Sequence, residues 1–141
     1  MKSAVDSSVI VAAINSDDPD HEPCAALFAS GSRGAYSHAL SETFSTLTGG
    51  RLGLRVPPSQ AAGIIRDQLK PRLNLVSLDE NDLITAFEEA ESRGIRGGAI
   101  YDYLHLFAAR KAGADDFFTL NTKDFRAFRR TGDPKIVHPR G

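Results

Sequence analysis

Asp6 interrupts the stretch SAVDSSVI, with apolar residues before it and Val9, Ile10 and Val11 after it. A carboxylate between two segments that both read as buried must find hydrogen-bond partners or hold a cation, because an unpaired charge out of water is costly. Asp102 poses the same problem more sharply. It lies in AIYDYLHLFAA, which is apolar nearly all round and so reads as a buried helix. Asp is a poor helix former away from a cap, although the positive end of the dipole favours it in the first turn. Glu42, in SETFSTLTGGR, has few charged neighbours, and Asp124 closely follows the apolar FFTL.

One site accounts for these four carboxylates more simply than four separate structural roles. Carboxylates gathered within a few ångströms repel and raise one another's pKa, and a divalent cation removes that conflict. Oxygen donors from Asp, Glu and water suit Mg2+ or Mn2+ rather than zinc. Such ions commonly act on phosphate-bearing substrates, so the implied chemistry is phosphodiester hydrolysis by metal-activated water. No Ser–His–Asp or Cys–His constellation is evident, which disfavours covalent catalysis. A phosphatase of the haloacid-dehalogenase type also sets an Asp after its first strand, but it wants a second Asp two residues later, and position 8 is Ser.

The elements that position these residues alternate. KSAVD reads as a strand ending at Asp6, and Ser7 or Ser8 is suited to cap a helix through SVIVAAI. After the turn-rich NSDDPDHEP come a helix in HEPCAALFAS, a short strand around Ala35 and Tyr36, and a helix in HALSETFSTLTG with Leu40, Phe44 and Leu47 on one face. PPSQAAGIIRDQLK starts with prolines fit for a helix N-terminus. LNLVSL is a strand, Asp79 caps the helix ENDLITAFEEAESRG, and RGGAIYDYLHLFAARKAG is the buried helix. DDFFTL and KIVHP are the last strands, with NTKDFRAF a loop or short helix between them. The alternation predicts one α/β domain over residues 1–141, helices covering both faces of a mostly parallel sheet. In that architecture ligands bind beyond the carboxyl ends of the strands, where Asp6, Asn121 and Asp124 fall.

Composition excludes little but limits a good deal. The net charge of −1 gives no global pull on nucleic acid, although Lys123 to Gly141 holds six Lys or Arg against two Asp, a surface able to meet phosphates. No apolar run is long enough to span a bilayer, and MKSAVD lacks the apolar core of a signal peptide. A lone Cys24 offers neither a disulfide framework nor a thiolate zinc site, and points to a reducing cytoplasm. Arg93 and Arg96, just before the buried helix, and Lys123 are candidate phosphate contacts. His105, three residues after Asp102, reads as a hydrogen-bonded core or supporting histidine rather than a ligand. The acidic loop around His21 lacks EF-hand spacing, and Phe117, Phe118, Phe125 and Phe128 read as core.

Four motifs in order, VDSSVI, SETFSTLTGGR, GGAIYDYLHLFAA and FFTLNTKDF, resemble the PIN-domain family, and within it the VapC-type ribonuclease toxins, over essentially the whole chain. The resemblance implies a three-layer α/β/α sandwich around about five mostly parallel strands, with acidic residues converging on Mg2+, for which Mn2+ can substitute. Asp6, Glu42 and Asp102 fall on the family's first three acidic positions. At the fourth, many relatives carry Asp where TLN here places Asn121. Either Asn121 binds a metal-bound water while Asp124 supplies the charge, or Asp124 only orders the loop; one or two ions fit. Asp6 and Asp102 are expected as direct ligands, with Glu42 direct or through water. Ser8 is expected as a helix cap and Thr119 as a hydrogen-bonding support. The resemblance further implies an RNA substrate, a homodimer, and a small antitoxin whose tail blocks the acidic pocket. The rival reading is a catalytically degenerate PIN-like module that binds RNA or protein, for which Asn121 is the support.

Overall fold

A computed structural model describes residues 2–141. Five strands form one sheet in the order β3-β2-β1-β4-β5, and every pairing is parallel. The strands are β1 (Ser3–Val5), β2 (Arg33–Tyr36), β3 (Leu73–Val76), β4 (Asp116–Phe118) and β5 (Lys135–Val137). Helices α1 (Ser7–Ile14), α2 (His21–Ala29), α3 (His38–Thr48) and α4 (Pro58–Ile64) precede α5 (Glu80–Ala90), α6 (Ala99–Lys111) and α7 (Thr122–Phe128). The expected three-layer sandwich is present.

Two hydrophobic cores explain why both faces are covered. Successive strand residues point to opposite faces, and neighbours on β1 separate accordingly. Ala4 joins a core with Tyr103, Leu106, Phe117, Phe125, Phe128 and Ile136. Val5 joins another with Val9, Ile10, Cys24, Phe28, Ala35 and Leu73. The phenylalanines at 117, 125 and 128 are thus core, as their setting predicted. Tyr103 to Ala109 are all buried on α6, which accounts for the nearly continuous apolar run.

Local chemistry fixes the ends. Asp79 accepts from the Asp82 backbone N–H at 2.8 Å while the Asp82 carboxylate accepts from the Asp79 N–H at 3.0 Å, a reciprocal cap at the predicted place. Gly94, at φ 71°, ends the turn that extends α5. The helix expected through PPSQAAGIIRDQLK is not uniform. It stops being α-helical after Ile64, widens into a π turn at Ile65–Leu69 and tightens into a 3-10 turn at Lys70–Arg72. Pro71, within that last turn, has no N–H to donate to the helical ladder.

Arg93 is not a phosphate contact. Its guanidinium is buried, pairs with Asp133 and lies 4.9 Å from the Tyr103 ring centroid. Arg110 joins from α6, at 3.0 Å from Asp133 and 2.7 Å from Glu89, and the Arg130 backbone N–H donates to Asp133 at 2.9 Å. This knot ties the chain before β5 to α5 and α6. Other C-terminal cations are also internally engaged: Arg129 donates to the Asp133 and Pro134 carbonyls, and Arg140 pairs with Asp20. With Arg130, which donates to the Ala127 and Ser92 carbonyls, three of the six tail cations are therefore structural.

Burial pushes the Asp133 carboxyl up, but Arg93, the Arg130 N–H and Arg110 outweigh it and hold the group below its usual 3.8. A lowered acid pKa contributes stability above the ordinary Asp range, and that contribution is lost as the pH falls through it. Asp133→Ala is expected to cost about 3–5 kcal/mol at pH 7, the cost of stranding a buried partner. In urea unfolding the gap from the parent chain should shrink below pH 4; an unchanged midpoint at pH 7 contradicts the assignment.

Candidate active site

The strand order reverses between β1 and β4: from β1 the chain moves outward to β2 and β3, and from β4 to β5. A crevice opens at such a switch point beyond the strands' carboxyl ends. Asp6 sits there, directly after β1, and Thr119 directly after β4.

Asp6 is buried and terminates three hydrogen bonds. Its Oδ1 accepts from the Ser8 hydroxyl at 2.5 Å and the Val9 N–H at 3.3 Å; its Oδ2 accepts from the Thr119 hydroxyl at 2.7 Å. The Val9 bond makes Asp6 itself the N-cap of α1, correcting the expectation that Ser7 or Ser8 caps it. Asp caps as well as Ser, and the helix begins one residue earlier than the serines suggested. Ser8 instead bridges, donating to Asp6 while accepting from the Leu120 N–H at 3.2 Å. Thr119 supports the loop as expected, its hydroxyl also accepting from the Asn121 N–H at 3.0 Å.

These bonds leave the charge without a counterion. Burial drives the Asp6 carboxyl up despite Ser8 and Thr119, and no Lys or Arg pairs with it among the described residues. Asp102, in the first turn of α6, is also raised, first by burial and then by repulsion from Asp6, Glu42 and Asp124. Asp102 is thus the carboxyl among the four that the other three act on. Glu42 differs: burial pushes it up, but the His105 imidazole and the Ser7 hydroxyl bring it below its usual value. Asp124 is exposed at the rim, where its Oδ2 accepts from the Asn121 side-chain amide at 2.9 Å.

Glu42 and Asp102 face an open cleft of about 490 Å³ that is otherwise walled by His38, Ser41, Ser45 and Arg51. Sequence reasoning missed Arg51. Its signal is the glycine-rich turn GGRLG after α3. Gly50 adopts φ 82°, a left-handed backbone that favours glycine at the turn leading to Arg51. Arg96 and Lys123 are exposed and carry no ion pair among the described residues.

The donor set fits a hard divalent cation. It is all oxygen, its two raised carboxylates lack cationic partners, and Mg2+ keeps several waters while using one or two carboxylates. Among the described residues no three Asp, Glu, His or Cys side chains are grouped closely enough to hold a metal ion by themselves.

The sheet is all parallel, with Asp6 at its switch point and Glu42 and Asp102 on an open cleft, and relatives say which family of α/β domain this is. A PIN-domain family model matches residues 4–134, and the chain belongs to that family. Ribonuclease VapC27 of Mycobacterium tuberculosis (strain ATCC 25618 / H37Rv) is 33% identical over 124 residues, covering 88% of this chain and 85% of that protein. The crystal structure of Mycobacterium tuberculosis VapC20, described as a sarcin-ricin loop cleaving toxin, superposes with a TM-score of 0.70 at 23% identity, over 94% of this chain and all of that one. VapBC2 from Rickettsia felis, bound to a promoter DNA fragment, gives 0.68 at 19% identity over 98% of each chain. These structures share the fold.

Because the Asp102 pKa is raised on folding, its ionisation weakens the metal-free fold. That penalty is absent below the ordinary Asp range, grows as the pH rises toward the elevated value, and is full at neutrality. Asp102→Asn should therefore melt higher than the parent in chelator at pH 7. The advantage should vanish near pH 3. A lower melting temperature in chelator at pH 7 would show that Asp102 is held by contacts rather than strained by charge.

Proposed function

We propose that this chain is a Mg2+-dependent endoribonuclease that acts as the toxin of a toxin–antitoxin pair. The observation that carries this reading is the buried Asp6 at the switch point, held by Ser8, Val9 and Thr119 and ion-paired to no Lys or Arg among the described residues. The kinship with a protein named as a ribonuclease supports RNA as the substrate.

Asp6 and Asp102 hold the ion, with Mn2+ able to replace Mg2+. When bound, a divalent cation neutralises charge developing on the phosphate and lowers the pKa of water. Ser8 and Thr119 keep both oxygens of Asp6 in fixed directions. Glu42 would orient the attacking water and accept its proton as the water adds to phosphorus, while the ribose oxygen that leaves takes a proton from solvent. Asp124, held by Asn121, adds negative charge at the rim and is the weakest candidate for a second ion. Arg51, Arg96 and Lys123 meet backbone phosphates, the term that dominates nucleic-acid affinity. The kinship with VapBC assemblies supports a small antitoxin as partner, and a homodimer is the expected assembly.

Incubation with a mixed small-RNA pool tests the reading. Discrete fragments should appear with Mg2+ or Mn2+ and not with excess chelator. Asp6→Asn should reduce cleavage at least ~100-fold, and Thr119→Val about 10–100-fold, the usual cost of losing a ligand's supporting hydrogen bond. Cleavage that survives both chelator and Asp6→Asn would sink the metal mechanism. No cleavage by folded, Mn2+-binding protein would favour the degenerate binding module.

A further inference from the structure

We propose that His105 is a positioning residue that holds Glu42 in one rotamer and aims its free carboxylate oxygen at the cation position. The inference rests on the acidic cluster being a divalent-cation centre. Glu42 on α3 and His105 on α6 are 63 residues apart, yet His105 Nε2 lies 2.7 Å from Glu42 Oε1. Asp102 and His105 are three residues apart on α6 and so share one helix face. One helix thus delivers a candidate ligand and the brace for a second ligand on a neighbouring helix.

Packing alone does not account for a histidine at this position. Leu104 to Ala109 are buried and otherwise apolar, and a hydrophobe there would avoid the cost of desolvating a ring nitrogen. The His105 side chain is 2% exposed, and the Tyr36 ring meets it edge-on at 5.4 Å, so the imidazole has little room to turn. Its Nδ1 is shut from solvent and has no hydrogen-bond partner. A proton there would be a buried donor without an acceptor, so the ring proton sits on Nε2 and is donated to Glu42. His105 is therefore engaged through one nitrogen and enclosed at the other, and is not itself a metal ligand. Glu42 is 30% exposed. On an open cleft wall its three side-chain torsions would otherwise sample several directions. Fixing Oε1 leaves Oε2 as the oxygen presented to the ion or its water.

Binding of Mn2+ alone, followed by the electron paramagnetic resonance signal of free Mn2+, tests this without reliance on cleavage. His105→Leu should weaken Mn2+ binding about 10–100-fold, the range for removing a partner that orients a ligand. His105→Gln, whose amide can place an N–H near the former Nε2, should recover most of the loss. In Glu42→Gln protein, adding His105→Leu should weaken binding no further, because a residue acting only through Glu42 has nothing left to position. Melting curves in chelator identify variants that remain folded. Parental Mn2+ affinity in folded His105→Leu, or a full additional loss on the Glu42→Gln background, overturns the inference. Absence of Mn2+ binding by the parent chain overturns the metal-centre reading, and this inference with it.

Discussion

The structure turns on a carboxyl group taken largely out of water and held by hydrogen bonds rather than by a basic side chain. Asp6 sits at the end of the central strand, buried, with three hydrogen bonds and no cation. Those bonds are of two kinds: the Val9 N–H belongs to the start of α1, while the two hydroxyls come from either side of the crevice. The group that begins a helix is thus also the group around which the crevice is organised. Hydrogen bonding limits the cost of burial without cancelling it, so the Asp6 carboxyl stays above its usual value.

The rest of the molecule meets that demand by rigidity. Helices on both faces bury the sheet, and the knot of Glu89, Arg93, Arg110 and Asp133 fixes α6 to the C-terminal strand. In that knot cations and carboxylates compensate one another. At the crevice they do not. The same side-chain chemistry is used to close one end of α6 and to leave its other end short of positive charge, and only the second arrangement invites a ligand.

Much of this was legible in the sequence because it depends on local pattern. Alternating strands and helices gave the layers, and carboxylates in apolar surroundings marked Asp6 and Asp102. Pairings across the chain were not legible. Arg93 looked like a turn cation because its partner Asp133 lies 40 residues away. The contact of His105 with Glu42 required two helices to pack, and no spacing in one segment encodes that. The cap expected at Ser7 or Ser8 is Asp6, since Asp, Ser and Thr all cap helices and only geometry distinguishes them. Arg51 escaped notice because a glycine-rich turn does not reveal where it points.

The bond between Thr119 and Asp6 spans 113 residues, and β1 needs β4 beside it to complete the centre of the sheet. During synthesis, a ribosome must therefore produce almost the entire chain before the crevice has both walls. Contacts this distant in sequence form late and slowly. A nascent chain that has emerged only as far as α5 holds Asp6 and Glu42 but neither Asp102 nor Thr119. The order of translation thus keeps the acidic pocket unassembled while its own messenger RNA is still being read.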